Sequence, residues 1–167
     1  MPLKSLDVLI VDDNANMRLL IRTILRSFGL AEARQARDGT AGLAELARRP
    51  PSLIISDWEM SPMNGGDFIR SVRRVGGEPH CFVPIIVLTA HASRQIIGEA
   101  FDAGATQLLV KPVTPANLLQ RIGWVLEDDR PFVRMGDAYR QEMRLPKVAE
   151  KPVAAVAPKS SEVWALD

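Results

Sequence analysis

The sequence predicts an α/β protein built on a doubly wound parallel sheet, and two observations carry that expectation. Apolar runs of strand length alternate with segments of helical period up to about Leu126. Three of those runs also end in residues that handle phosphate. Val8–Val11 runs into Asp12 and Asp13, Leu53–Ser56 into Asp57, and Leu108–Val110 into Lys111 and Pro112; a fourth run, Ile85–Leu88, ends in Thr89. As parallel neighbours, these strands would bring their carboxyl ends around the crevice where open α/β sheets bind ligands.

Each element has its own local signal. Asn14 to Asn16 reads as a helix cap. Met17, Ile21, Ile24, Leu25 and Phe28 then form one apolar helical face, stopped by Gly29. Glu32 to Ala36 is a short second strand. Gly39 to Arg49 follows as a helix burying Leu43 and Leu46, halted by Pro50 and Pro51. Leu53 to Ser56 is too continuously apolar for a half-exposed strand and suits a parallel one buried on both faces. A third helix is expected over Asp67 to Val75, with Phe68, Ile69 and Val72 inward and Gly76-Gly77 at its end. Pro84 to Leu88 forms the next buried strand, and Ser93 caps a helix running to about Ala103. Gly104-Ala105 turns the chain into the strand Gln107 to Val110. Pro115 opens the last helix, which carries Leu118, Leu119, Ile122 and Val125. Short connections between five such pairs imply right-handed crossovers.

Composition narrows the class. The chain has 167 residues, 47% hydrophobic and 25% charged, the profile of an ordinary globular protein. A formal net charge of +1 argues against DNA or RNA binding by bulk electrostatics. A single cysteine, Cys81, has no intramolecular bridging partner. No apolar run approaches the roughly 20 residues that span a bilayer, and the N-terminus lacks the pattern of a secretory signal. A cytoplasmic protein with no membrane insertion is the expectation.

The strand-end residues suit one chemistry. A carboxylate nucleophile, Asp57, needs to be ionised and accessible. A divalent cation must neutralise an incoming phosphoryl group, and magnesium takes hard oxygen ligands such as Asp12 and Asp13. An ammonium, Lys111, and a short hydroxyl, Thr89, can hold the remaining phosphoryl oxygens. No glycine-rich phosphate loop follows the first strand, where Asp12-Asp13-Asn14 stands instead, which argues against a nucleotide-handling enzyme.

Val11-Asp12-Asp13, Asp57 followed by Met60 to Gly65, Leu88-Thr89-Ala90, Ala103-Gly104-Ala105 and Val110-Lys111-Pro112 together resemble bacterial response-regulator receiver domains of the stand-alone, CheY-like type. The match covers roughly residues 5 to 126, and its specificity lies in order and spacing. The resemblance implies a flavodoxin-like (βα)5 sheet with strand order 2-1-3-4-5 in a receiver domain over 1–126. It implies that Asp57 is the phosphoacceptor. Asp13 and Asp57 would hold Mg2+ with the Glu59 backbone carbonyl, and Asp12 partly through water. Thr89 and Lys111 would be the switch hydroxyl and the phosphate-binding lysine, with a cis Lys111–Pro112 bond. The implied partners are a histidine kinase or phosphotransfer protein and a downstream protein target such as the flagellar motor, with self-modification rather than enzymatic turnover. Leu108 departs from the pattern, standing where such domains carry an aromatic ring. Glu59 and His91 border the path of attacking water.

Residues 127–167 read as a largely flexible extension, arginine-rich at 130–144. From Arg130 to Lys151 it has six basic and three acidic residues. Arg130-Pro131-Phe132-Val133-Arg134 resembles the extension of some alphaproteobacterial CheY-like proteins. That resemblance implies an alternative in which Arg130, Arg134, Arg140 and Arg144 bind cyclic di-GMP as the main input. A plain solvated tail, or a docking peptide anchored by Trp164 and Leu166, are the competing readings.

Overall fold

The computed structural model describes residues 3–30 and 33–143. Five βα pairs follow one another: β1 (Val8–Val11), α1 (Ala15–Ser27), β2 (Ala33–Ala36), α2 (Gly39–Arg48), β3 (Leu53–Asp57), α3 (Gly65–Val72), β4 (Ile85–Thr89), α4 (Arg94–Ala103), β5 (Gln107–Val110) and α5 (Pro115–Leu126). The five strands pair in parallel in the order β2-β1-β3-β4-β5, which is the flavodoxin-like sheet expected.

Alternation along the strands divides the core into two layers. Val8, Ile10, Leu53, Ile55, Ile86 and Leu88 pack with Ile21 and Leu25 of α1 and Leu118 and Ile122 of α5. Leu9, Val11, Ile54, Ile85 and Val87 pack with Leu46 of α2, Phe68 and Ile69 of α3 and Ala100 of α4. Side-chain caps start the helices where the sequence placed them. Asn14 accepts from the Asn16 and Met17 amides, Ser93 from Ile96, and Thr114 forms a reciprocal capping box with Asn117. Helix α3 starts and stops earlier than its apolar period suggests, because Asn64 caps it and the chain leaves the helix after Val72. Leu43 is only half-buried but packs against the second core layer, while Gly42 and Leu46 are fully buried α2 positions beside it. Glu32 lies outside the described residues. Among the described residues, no helix is long and apolar enough to cross a membrane.

The expectation of flexible chain after Leu126 needs correction over one stretch. Strands β6 (Phe132–Met135) and β7 (Ala138–Gln141) form an antiparallel hairpin, turned at Gly136 with φ 69°. Composition concealed it: Phe132, Arg134, Tyr139 and Gln141 alternate with residues of the opposite face around a Gly-Asp turn, a hairpin pattern. The hairpin is docked on the body. Tyr139 N–H donates to the Arg73 carbonyl at 2.8 Å, and Val75 N–H donates to the Asp137 carbonyl at 2.8 Å. Phe82 meets Phe132 and Tyr139 at ring-centroid distances of 5.6 and 4.9 Å.

Beneath the hairpin lies Arg73, fully buried. Its guanidinium donates to the carbonyls of Gly104 (2.9 Å), Cys81 (2.7 Å) and Val83 (2.7 Å), and its Cζ stands 4.8 Å from the Phe132 ring centroid. Burial pulls this guanidinium down to about 9, still protonated at neutral pH. Gly104, the left-handed cap of α4, is held to glycine twice over. Its φ is 115°, and a Cβ there would meet Arg73 Cγ at 2.7 Å.

Candidate phosphoacceptor pocket

Register brings the strand-end residues together. Val11 stands beside Ser56 and Asp57 beside Leu88, so Asp12, Asp13 and Asp57 emerge from the carboxyl edges of adjacent strands. Thr89 pairs with Val110, and Lys111 follows immediately, its N–H donating to the Thr89 carbonyl at 2.8 Å. The Lys111–Pro112 bond is cis. Carboxylate oxygens of Asp12, Asp13 and Asp57 all lie within 4.8 Å of one another. Lys111 Nζ donates to Asp57 Oδ1 at 3.0 Å.

Burial makes this convergence costly. Asp57 is only 4% exposed although it ends a strand, so it is less open than the sequence suggested; Lys111 pairs directly with its carboxylate. Burial pushes the Asp57 carboxyl up to about 6. The Lys111 hydrogen bond opposes that shift, while the neighbouring charges of Asp12 and Glu59 add to it. Burial likewise raises Asp12, opposed by the Asn14 backbone N–H. For Lys111, burial favours the neutral amine, but the Asp57 hydrogen bond and the charges of Asp57, Asp12 and Glu59 outweigh it and raise the ammonium.

The donor set fits a small hard cation. Asp12 is 1% exposed, and its Oδ2 is buried without a hydrogen-bond partner. An unpartnered buried oxygen on a carboxylate that gathers with two others is stabilised by an oxygen-seeking divalent ion. Asp13 is exposed and accepts from the Ser61 N–H at 3.3 Å.

Gly65 holds the loop closed behind Asp57. Its N–H donates to the Trp58 carbonyl at 2.9 Å, and a Cβ at this position would stand 2.5 Å from the Asp57 carbonyl oxygen and 2.7 Å from Trp58 Cα. Both are backbone atoms, so no rotamer relieves the clash. Gly65→Ala is expected to destabilise the fold by about 1–3 kcal/mol, the range of an overpacked core site, and to weaken divalent-ion binding by displacing Asp57. Urea unfolding and a magnesium titration read the two effects; an unchanged midpoint would refute the crowding argument.

Among the described residues, the tail arginines Arg130, Arg134 and Arg140 are not gathered in this way. Arg130 forms an ion pair with Asp128 and reaches the Thr106 carbonyl at 3.5 Å. Arg134 pairs across the hairpin with Tyr139, and Arg140 with Val133, so Arg134 and Arg140 stand on opposite faces. Arg144, Trp164 and Leu166 lie outside the described residues. Leu108, in the aromatic's place, is half-buried against the α4-side core. Sequence reasoning flagged Glu59 for its position but missed its side-chain contact: Thr89 Oγ1 donates to Glu59 Oε1 at 2.7 Å.

A five-stranded flavodoxin-like sheet with an acidic cluster and a lysine at its carboxyl edge defines the class of protein. Residues 8–123 match the response regulator receiver domain family, and the chain belongs to it. It is similar to chemotaxis protein CheY-3 of Vibrio cholerae serotype O1, with 33% identity covering 74% of this chain and 94% of the relative. Chemotaxis protein CheY of Pseudomonas aeruginosa is 37% identical, over 72% of this chain and 95% of the relative. The structure of chemotaxis protein CheY4 of Vibrio cholerae superposes with a TM-score of 0.67 at 35% identity, covering 72% of this chain and 98% of that one.

Proposed function

We propose that this protein relays a signal by accepting a phosphoryl group on Asp57 and passing the change to a partner protein. The observation that carries this reading is the meeting of three carboxylates with the Lys111 ammonium around one buried acceptor. The donor is a phosphohistidine on a partner kinase or phosphotransfer protein, or an acyl phosphate such as acetyl phosphate. An Asp57 carboxylate oxygen attacks the donor phosphorus, and the donor's P–N or P–O bond breaks. The leaving imidazole departs neutral because its other ring nitrogen carries the proton; acetate departs as the anion. Lys111 holds one oxygen of the new acyl phosphate, and Thr89, which follows the Leu88 that pairs with Asp57, holds another. When bound by Asp13, Asp57, the Glu59 carbonyl and, through water, Asp12, magnesium supplies the positive charge that offsets the phosphoryl dianion.

Hydrolysis then restores the carboxylate. Water attacks phosphorus, the P–O bond to Asp57 breaks, and inorganic phosphate leaves. The protein modifies itself and turns over no other substrate. Engagement of Thr89 and Lys111 shifts a two-state equilibrium at the face of α4 and β5, where Val110 stands 37% exposed. The chemotaxis names of the relatives favour an output in chemotaxis, for which the target we propose is the flagellar motor. Cyclic di-GMP as main input gains no support from Arg134 and Arg140, which stand on opposite faces of the hairpin.

Radiolabelled acetyl phosphate tests the reading. Magnesium-dependent label is expected on the wild type, with loss of at least 100-fold in Asp57→Ala. Equal label on that variant would remove Asp57 from its role.

A further inference from the structure

The hydroxyl that a phosphoryl group on Asp57 would need is already taken. Thr89 is fully buried at the end of β4, and its Oγ1 donates to Glu59 Oε1 at 2.7 Å. The same oxygen accepts from the His91 N–H at 3.1 Å, and the His91 carbonyl at 3.3 Å is a longer, weaker acceptor. A threonine hydroxyl has one proton. It can donate to the Glu59 carboxylate or to a phosphoryl oxygen, but not to both. The Glu59 charge also acts on Asp57 and on Lys111, the other two groups of the site.

Resting on the phosphoacceptor reading of Asp57, we propose that the Glu59 carboxylate is an internal competitor of the phosphoryl group. It holds the Thr89 hydroxyl in the resting protein and must release it before phosphorylation can engage the switch. Glu59 is thus a positioning residue with two separate parts in the site. Its backbone belongs to the cation side, while its side chain, exposed and free to swing, belongs to the hydroxyl side. Departure is driven by repulsion between the carboxylate and the incoming dianion. Release exchanges one charge-assisted hydrogen bond for another, so the competition is close to balanced and sensitive to substitution.

Beryllofluoride, a stable mimic of the acyl phosphate, provides the test at saturating magnesium, read by tryptophan fluorescence with Trp58 beside the pocket. Glu59→Ala is expected to tighten beryllofluoride binding about tenfold, the size of one charge-assisted hydrogen bond discounted for exposure. Glu59→Gln should give a smaller gain in the same direction. Magnesium affinity measured alone should not rise, because removing a carboxylate near a cation site can only weaken it. The decisive comparison is the background. In Thr89→Ala the Glu59→Ala gain should shrink to about twofold, whereas Thr89→Ser, which keeps the hydroxyl, should retain it. An unchanged affinity in Glu59→Ala, or a gain undiminished in Thr89→Ala, overturns the competitor while leaving Asp57 as acceptor. Failure of the wild type and every variant to bind beryllofluoride overturns the acceptor reading and the competitor with it.

Discussion

Replacing Arg73 by leucine will destabilise the protein by about 3–5 kcal/mol, the cost of breaking a buried polar network. The reason is local and countable. The guanidinium satisfies three buried carbonyls, those of Gly104, Cys81 and Val83, and leucine satisfies none. Each orphaned acceptor costs roughly 1–3 kcal/mol before any relaxation. Lysine at this position recovers only part of the loss, because a single ammonium cannot reproduce a planar fork aimed at separated oxygens. The hairpin shares in this arrangement: Phe132 covers the guanidinium, and Tyr139 N–H binds the Arg73 carbonyl. A chain ended at Leu126 therefore loses stability as well, and Arg73→Leu costs less in that background than in the full chain. Urea unfolding of the four proteins checks this. A penalty below about 1 kcal/mol for Arg73→Leu, or strict additivity with the truncation, would show that the hairpin does not depend on Arg73. Val83 precedes β4 and Thr106 precedes β5, so the hairpin docks at the amino edge of the sheet, opposite the pocket. Its removal is expected to change stability without directly altering the Asp57 pocket.

Asp57→Asn will stabilise the unliganded protein by up to about 3 kcal/mol at pH 7.5, and the gain will vanish near pH 4. Burial raises the folded carboxyl from its ordinary 3.8 to about 6. Between those values the folded state keeps a proton that the unfolded state has released, so wild-type stability falls as pH rises through this window. A shift of about two units corresponds to roughly 3 kcal/mol. Asparagine imitates the protonated carboxyl and carries no such penalty. Below about pH 4 both states of the wild type are protonated and the difference closes. The raised Asp12 carboxyl adds to the decline in both proteins. Magnesium should narrow the gap, stabilising the wild type by about 2.7 kcal/mol at one hundred times its dissociation constant and the variant by less. Denaturation at pH 7.5 and pH 4, with and without magnesium, reads all of this; an equal gap at both pH values defeats the argument.

The two predictions mark opposite poles of the molecule, and they differ in how far sequence reading reached them. Asp12, Asp13, Asp57, Thr89 and Lys111 were legible because each directly ends an apolar run. Parallel pairing then requires that residues ending neighbouring runs share one edge. Arg73 was not legible. As the first of two arginines after an apolar helical face, it reads as a solvated helix end, and only the carbonyls of Cys81, Val83 and Gly104 make it interior.

Periodicity and turn residues by themselves determined the five βα units, the burial of the central strands and the side of the sheet that carries the carboxylates. Tertiary structure alone decided that the Glu59 side chain reaches the Thr89 hydroxyl, that Asp57 is nearly closed off, and that the chain after α5 folds back as a hairpin over Arg73. The physical reason is range. Strand and helix patterns come from neighbours a few residues apart, whereas these contacts join residues about 30 to 60 positions apart, whose pairing depends on where the packed elements bring them.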